Sequence, residues 1–178
     1  LVAVDGVDSG AANLSALVQF DGQWRDVRRG VDGTVTGAPE LVRNAKVGTG
    51  AGHFYGGAGV VTFGSFSPPS TTDMTVMAWI RPEDGGGRVL DHGWSNSGAE
   101  YGWTLDYGQV ETWEGARAIS FCAGNGADRQ AGSCVTTGPD VLVPGAWHHV
   151  AVAKSGTQVT LYLDGTARRS AALTSSTV

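Results

Sequence analysis

Apolar residues recur along this chain with a period of two, in short runs cut by glycine. Met74-Thr75-Val76-Met77-Ala78-Trp79-Ile80 is the clearest run. In an extended strand Met74, Val76, Ala78 and Ile80 share one face, and Met77 and Trp79 share the other. Apolar residues on both faces predict a central strand covered on both sides. Arg81-Pro82 ends it, because proline cannot donate to a ladder. Gly59 to Phe63, Arg88 to Asp91 and Gly102 to Asp106 read as further strands. Trp147 to Lys154, the turn Ser155-Gly156 and Val159 to Leu163 predict a hairpin, and Asp164-Gly165 marks a following type I′ turn. The best helical candidate, Pro39 to Lys46, lacks an apolar stripe. Many short strands at this spacing predict an all-β fold of two packed sheets, with Trp79, Trp103 and Trp147 in its core.

Composition narrows the class. The chain has 178 residues, no internal repeat and no linker-like shift, so residues 1–178 read as a single domain. Its 28 glycines follow no G-X-Y period and fall between apolar runs, as turns require. A hydrophobic share of 41% with 16% charged residues excludes a disordered chain. The net charge of −5 argues against nucleic acid, and Arg28-Arg29 and Arg168-Arg169 are short enough to be solvated strand or loop ends. No apolar run reaches the roughly 20 residues of a membrane-spanning helix, so no membrane insertion is expected. The chain begins at Leu1 without a leader, as a mature or trimmed product would.

The two cysteines, Cys122 and Cys134, end one predicted strand and open the next, across a segment of turn-forming residues. Antiparallel neighbours bring such sulfurs within bridging range, so a disulfide is expected, and with it an oxidising, extracellular setting.

Three blocks carry a family resemblance. The first runs from Gly48 to Gly56 and on through Gly59 to Gly64. The second is Asp73 to Pro82. The third, the most specific, is Gly145-Ala146-Trp147-His148-His149-Val150-Ala151-Val152 followed by Val159-Thr160-Leu161-Tyr162-Leu163-Asp164-Gly165. From about Gly33 to Arg168 the chain resembles the laminin-G-like branch of the concanavalin-A-like lectin/glucanase superfamily. The resemblance implies a two-sheet antiparallel jelly-roll β-sandwich, an extracellular location and a role in recognising glycans, proteins or lipids, often beside a structural calcium. Two departures stand out. Tyr55 sits where the family usually has Asp, and the glycine-rich turn and last strand that usually close the fold are not evident before Val178. Either the fold is cut short there, leaving a sheet edge open to self-association, or another segment fills the gap, and the strand-like Leu14 to Phe20 is the candidate, in cis or in trans.

Catalytic chemistry is thinly represented. Glycosidases need two carboxylates flanking the bond, and the nearest pair, Glu111 and Glu114, is spaced by three and falls on opposite strand faces. His148 and His149 are adjacent and cannot chelate one metal together; one is expected to pack inward and one to meet solvent. No Gly-x-Ser-x-Gly elbow exists. The chain therefore reads as non-catalytic. Trp94, Tyr101, Trp103, Tyr107 and Trp113 cluster in one stretch, and sugar C–H faces stack on such rings. The expected ligand-binding residues are Trp94, Asn96, Tyr101, Trp113 and Arg117, with Asp91 and Asp106 as further polar contacts. The expected partner is a glycan or a cell-surface or matrix glycoconjugate. No cofactor is required. For calcium the candidates are Asp5 and Asp8, then Asp21, Asp26 and Asp32, all outside any EF-hand pattern. Asn13-Leu14-Ser15 is a glycosylation sequon. A second reading is a structural subunit or decoration domain of a filament or virion, completed by strand exchange.

Overall fold

The structure, a computed structural model, describes residues 2–3, 14–56, 59–65, 72–83, 85–93, 101–108, 116–125 and 133–174. Among these there is no helix. The chain divides into two compact units. One comprises residues 1–69 with 78–80, the other residues 70–77 with 81–178.

In the first unit the strands are short: β1 (Val2–Ala3), β2 (Val18–Gln19), β3 (Arg25–Asp26), β4 (Val31–Asp32), β5 (Thr34–Thr36), β6 (Glu40–Val42), β7 (Ala51–His53) and β8 (Val60–Thr62). Strand β9 (Asp73–Ile80) ends here, where Trp79 and Ile80 pair with β1. The pairs β1–β7, β1–β9, β2–β3, β3–β4, β5–β8 and β6–β7 are antiparallel. Leu17 and Phe20 are buried around β2, which pairs with β3. The strand-like Leu14 to Phe20 thus contributes β2 to the β2–β3–β4 sheet of this unit. Trp24 meets Phe20 and Phe54 edge-on, at 5.3 and 5.7 Å between centroids.

Asp26 organises this unit. Its buried carboxylate accepts N–H bonds from Leu17, Arg28 and Arg29 at 3.0–3.1 Å and pairs with the Arg29 guanidinium. Arg29 also donates to the Phe63 and Ser65 carbonyls. Burial alone would push this carboxyl up; the Arg29 bond, the Leu17 and Arg29 N–H groups and the Arg29 charge together hold it below the ordinary value of 3.8.

The second unit is a β-sandwich. One sheet carries β10 (Gly87–His92), β11 (Tyr101–Tyr107), β12 (Ile119–Asn125) and β13 (Cys134–Thr136) in that order. The other carries β14 (His148–Ser155), β15 (Gln158–Leu163) and β16 (Thr166–Ala172), with β9 beside β14. Neighbouring strands pair antiparallel in β10–β13 and in β14–β16. Inward residues alternate along each strand: Trp103, Leu105, Ile119, Phe121 and Val135 on the first sheet; Val150, Val152, Val159, Leu161 and Leu163 on the second. Strands β12 and β13 meet β15 and β16 across the core. The predicted turn at Asp164-Gly165 has φ of 50° and 78°, as type I′ needs.

Two expectations need correction. Trp79 and Trp147 are half-buried, not core. Ala78 and Ile80 take the inward face of β9, at 1% and 2% exposed, so alternation turns Trp79 outward, where Lys46 sits 5.0 Å from its ring. Further back on this outward face Asp73, Thr75 and Met77 are exposed. Trp147 lies under the Arg81 guanidinium at 6.0 Å, while its neighbour His148 turns inward. His148 ties three segments. Its Nε2 accepts the Val143 N–H, so the ring proton sits on Nδ1 and is donated to Asp164, whose other oxygen accepts the His149 N–H.

Cys122 and Cys134 are bonded and stand directly opposite each other. The Thr137 N–H bonds the Ile119 carbonyl. Ladder alternation then makes Cys122–Cys134 a non-hydrogen-bonded pair, where side chains approach most closely.

Two outcomes follow from these contacts. Replacing both cysteines by alanine should cost about 3 kcal/mol by the chain-entropy estimate, read as a lower denaturation midpoint; an unchanged midpoint would contradict it. Because the folded Asp26 pKa is depressed, its stabilisation is present above the ordinary aspartate value and lost as pH falls through the folded one. The stability gap between wild type and Asp26→Asn should therefore be widest near neutrality and close below about pH 4; urea titrations across pH would show it.

Candidate functional site

Alternation in β11 sends Trp103 and Leu105 into the core, so Thr104 and Asp106 emerge on the opposite side of the sheet. Register continues that side across the neighbouring strands. Asp106 faces Arg88 on β10 and Ser120 on β12; Thr104 faces Asp91 and Cys122. A slip between Arg88 and Leu90 lets one extra residue of β10 bulge, which keeps Arg88 and Asp91 on the same side. Gly102 is required where β11 opens. Its φ is +92°, and a Cβ there would lie 1.8 Å from the His92 carbonyl oxygen.

This side is polar and covered. Thr104, Asp106, Ser120 and Cys122 are all 0% exposed. The Thr104 hydroxyl donates to Asp106 Oδ2 at 3.0 Å. Arg88 reaches Asp91 at 2.7 Å and Asp106 Oδ1 at 3.4 Å, and is itself partly exposed. Ser120 Oγ is buried with no hydrogen-bond partner among the described residues. A hydroxyl buried in that way costs about 1–3 kcal/mol, which marks the spot as one where a further polar group belongs. On the core side of the same strands His92 stacks on Trp103 at 5.6 Å, and Trp103 on Phe121 at 6.2 Å.

The residues expected from the sequence are distributed unevenly. Asp91 and Asp106 do come together, joined by Arg88. Tyr101 opens β11 opposite Asn125, whereas Arg117 lies just before Ile119, the residue opposite Tyr107. Tyr101 and Arg117 are thus at opposite ends of the β11–β12 pair, roughly 20 Å apart along the strands, and are not brought together. Arg117 has a left-handed backbone, φ 56°, and pairs with Asp140, φ 61°. Trp94, Asn96, Trp113, Glu111, Glu114, Asp5, Asp8 and Asn13 lie outside the described residues. Arg88, Thr104 and Ser120 were not singled out from the sequence. The Trp103-Thr104-Leu105-Asp106 alternation was the available signal for Thr104.

The remaining calcium candidates are already engaged. Asp21 accepts the N–H groups of Thr49 and Gly50, Asp26 is enclosed as described, and Asp32 pairs with Arg25. Among the described residues no three His, Cys, Asp or Glu side chains come together as a metal ion needs. These residues do not fit a calcium site.

Comparison with known proteins agrees with the architecture. A laminin-G-type family model, described as concanavalin A-like lectin/glucanases superfamily, matches residues 55–178. No curated protein and no solved structure matches the chain. With most of its length covered by that match and a sandwich of two antiparallel sheets in its second unit, the chain belongs to the concanavalin A-like lectin/glucanase superfamily.

Proposed function

We propose that the chain is an extracellular, non-catalytic recognition module that binds carbohydrate at the exposed Arg88–Asp91 rim of the β10–β13 sheet. The superfamily supports a lectin-like or binding module in general. The observation that carries the finer reading is the Arg88–Asp91 pair, which reaches the surface of β10 in front of the enclosed Thr104, Asp106 and Ser120. It offers a guanidinium and a carboxylate to solvent, positioned by the buried Asp106 behind them. Those groups suit sugar hydroxyls, and the aromatic stretch holding Trp94, Tyr101 and Trp113 adjoins the same strands in sequence. The Cys122–Cys134 bond supports an oxidising, extracellular setting. The partner would be a glycan or glycoconjugate, and the binding needs no cofactor.

One observation favours the strand-exchange reading. β16 ends its sheet, and Thr166 to Ser170 are exposed along it, an edge to which another strand could add. Arg168 and Arg169 on that edge oppose such pairing, so recognition remains the leading reading.

A glycan array probed with the folded chain should give saccharide binding. Trp94→Ala or Trp113→Ala should weaken it about tenfold each, the loss of one stacking contact. Asp91→Ala should weaken it less. A folded chain that binds no saccharide, or that binds equally well after all three substitutions, contradicts the proposal. A folded, monodisperse monomer by light scattering removes the strand-exchange alternative.

A further inference from the structure

A second surface stands on a separate observation in the first unit. Register places Glu40 of β6 directly opposite His53 of β7. Tyr55 follows two residues on, and its ring lies against the His53 imidazole with centroids 4.1 Å apart and planes tilted by 37°. The Tyr55 hydroxyl donates to Glu40 Oε2 at 2.9 Å. Tyr55 is nevertheless 50% exposed. Gly59 runs beside Pro39 and the Tyr55 carbonyl, and the next residue, Val60, is 52% exposed. Two rings, a carboxylate and an apolar shoulder therefore share one exposed place, with Tyr55 held by contacts on two sides before any ligand arrives.

The charge there is unbalanced. Among the described carboxylates of this unit Asp26 and Asp32 hold arginines, and Asp21 holds backbone N–H groups. Glu40 accepts from a phenol and has no cationic partner among the described residues. A phenol donating to a carboxylate has an electron-rich ring, and the negative face of such a ring attracts a cation within about 6 Å of its centroid. Carboxylate and ring face then act together on one positive group. The phenol already uses Oε2, so one oxygen remains open. A guanidinium fork needs both oxygens; a compact ammonium needs one.

We propose that Glu40, His53 and Tyr55 form a seat for a lysine side chain of a partner polypeptide. The whole chain is net −5, which favours a basic partner. This seat uses different residues and a different chemistry from the proposed carbohydrate face, and stands or falls without it.

The test is an NMR titration of the isotope-labelled full chain with acetyl-Gly-Lys-Gly-amide. The matching norleucine peptide and methyl β-glucoside serve as comparisons. The lysine peptide should shift the Tyr55 ring and Glu40 carboxyl resonances, with an affinity that falls as salt rises. Glu40→Gln keeps an acceptor for the phenol and removes the charge, so the fold is retained; it should weaken binding about five- to tenfold. Tyr55→Ala should weaken it at least as much. The proposal is overturned if the lysine peptide leaves these resonances unmoved, if norleucine moves them equally, if Glu40→Gln binds as tightly as wild type, or if the glucoside binds there in place of the peptide.

Discussion

The second unit depends on the β11–β12 register, which sends alternate side chains to two environments that are both closed to water. One side supplies Trp103, Leu105, Ile119 and Phe121 to a dry core. The other holds Thr104, Asp106, Ser120 and Cys122, equally buried but polar. A slip by one residue would drive Asp106 into the apolar core and lift Leu105 out of it, so register is specified by both faces at once. The disulfide fastens the same register from the next strand, since Cys122 and Cys134 can bond only when β12 and β13 are aligned as observed.

That constraint links fold to function. A sheet with one wet face places polar residues there without obligation. A sheet whose second face is buried must satisfy each polar group it encloses. Arg88 answers Asp106 and Asp91, and Thr104 answers Asp106, whereas Ser120 is left over. The remaining need sits opposite Asp106, behind the Arg88–Asp91 pair to which the proposed function assigns the ligand.

Much of the fold was legible because its signals are local. Period-two alternation located β9, β10, β11, β14 and β15, Asp164-Gly165 gave the turn, and the turn-rich stretch between Cys122 and Cys134 gave the bridge. The misplaced indoles show where local signals fail. Trp79 alternates with Ala78 and Ile80 on a strand that reads as apolar on both faces, and the sequence does not say which face meets a second layer. The ties made by Asp26, Arg29 and His148 were hidden for another reason. Each joins residues well separated along the chain, as Arg29 joins Phe63 and His148 joins Asp164. The candidate site was legible only in part. Asp91 and Asp106 carried the right chemistry, but Arg88 and Ser120 acquire meaning from cross-strand register, which composition does not encode.

Amide hydrogen exchange across β10, with and without a bound oligosaccharide, tests the central claim most directly. If the Arg88–Asp91 rim of this sheet is the recognition surface, ligand should slow exchange from Arg88 to Asp91 and leave β14 and β15 unchanged. Slowing confined to β14 and β15, or none in β10 at saturating ligand, would contradict it.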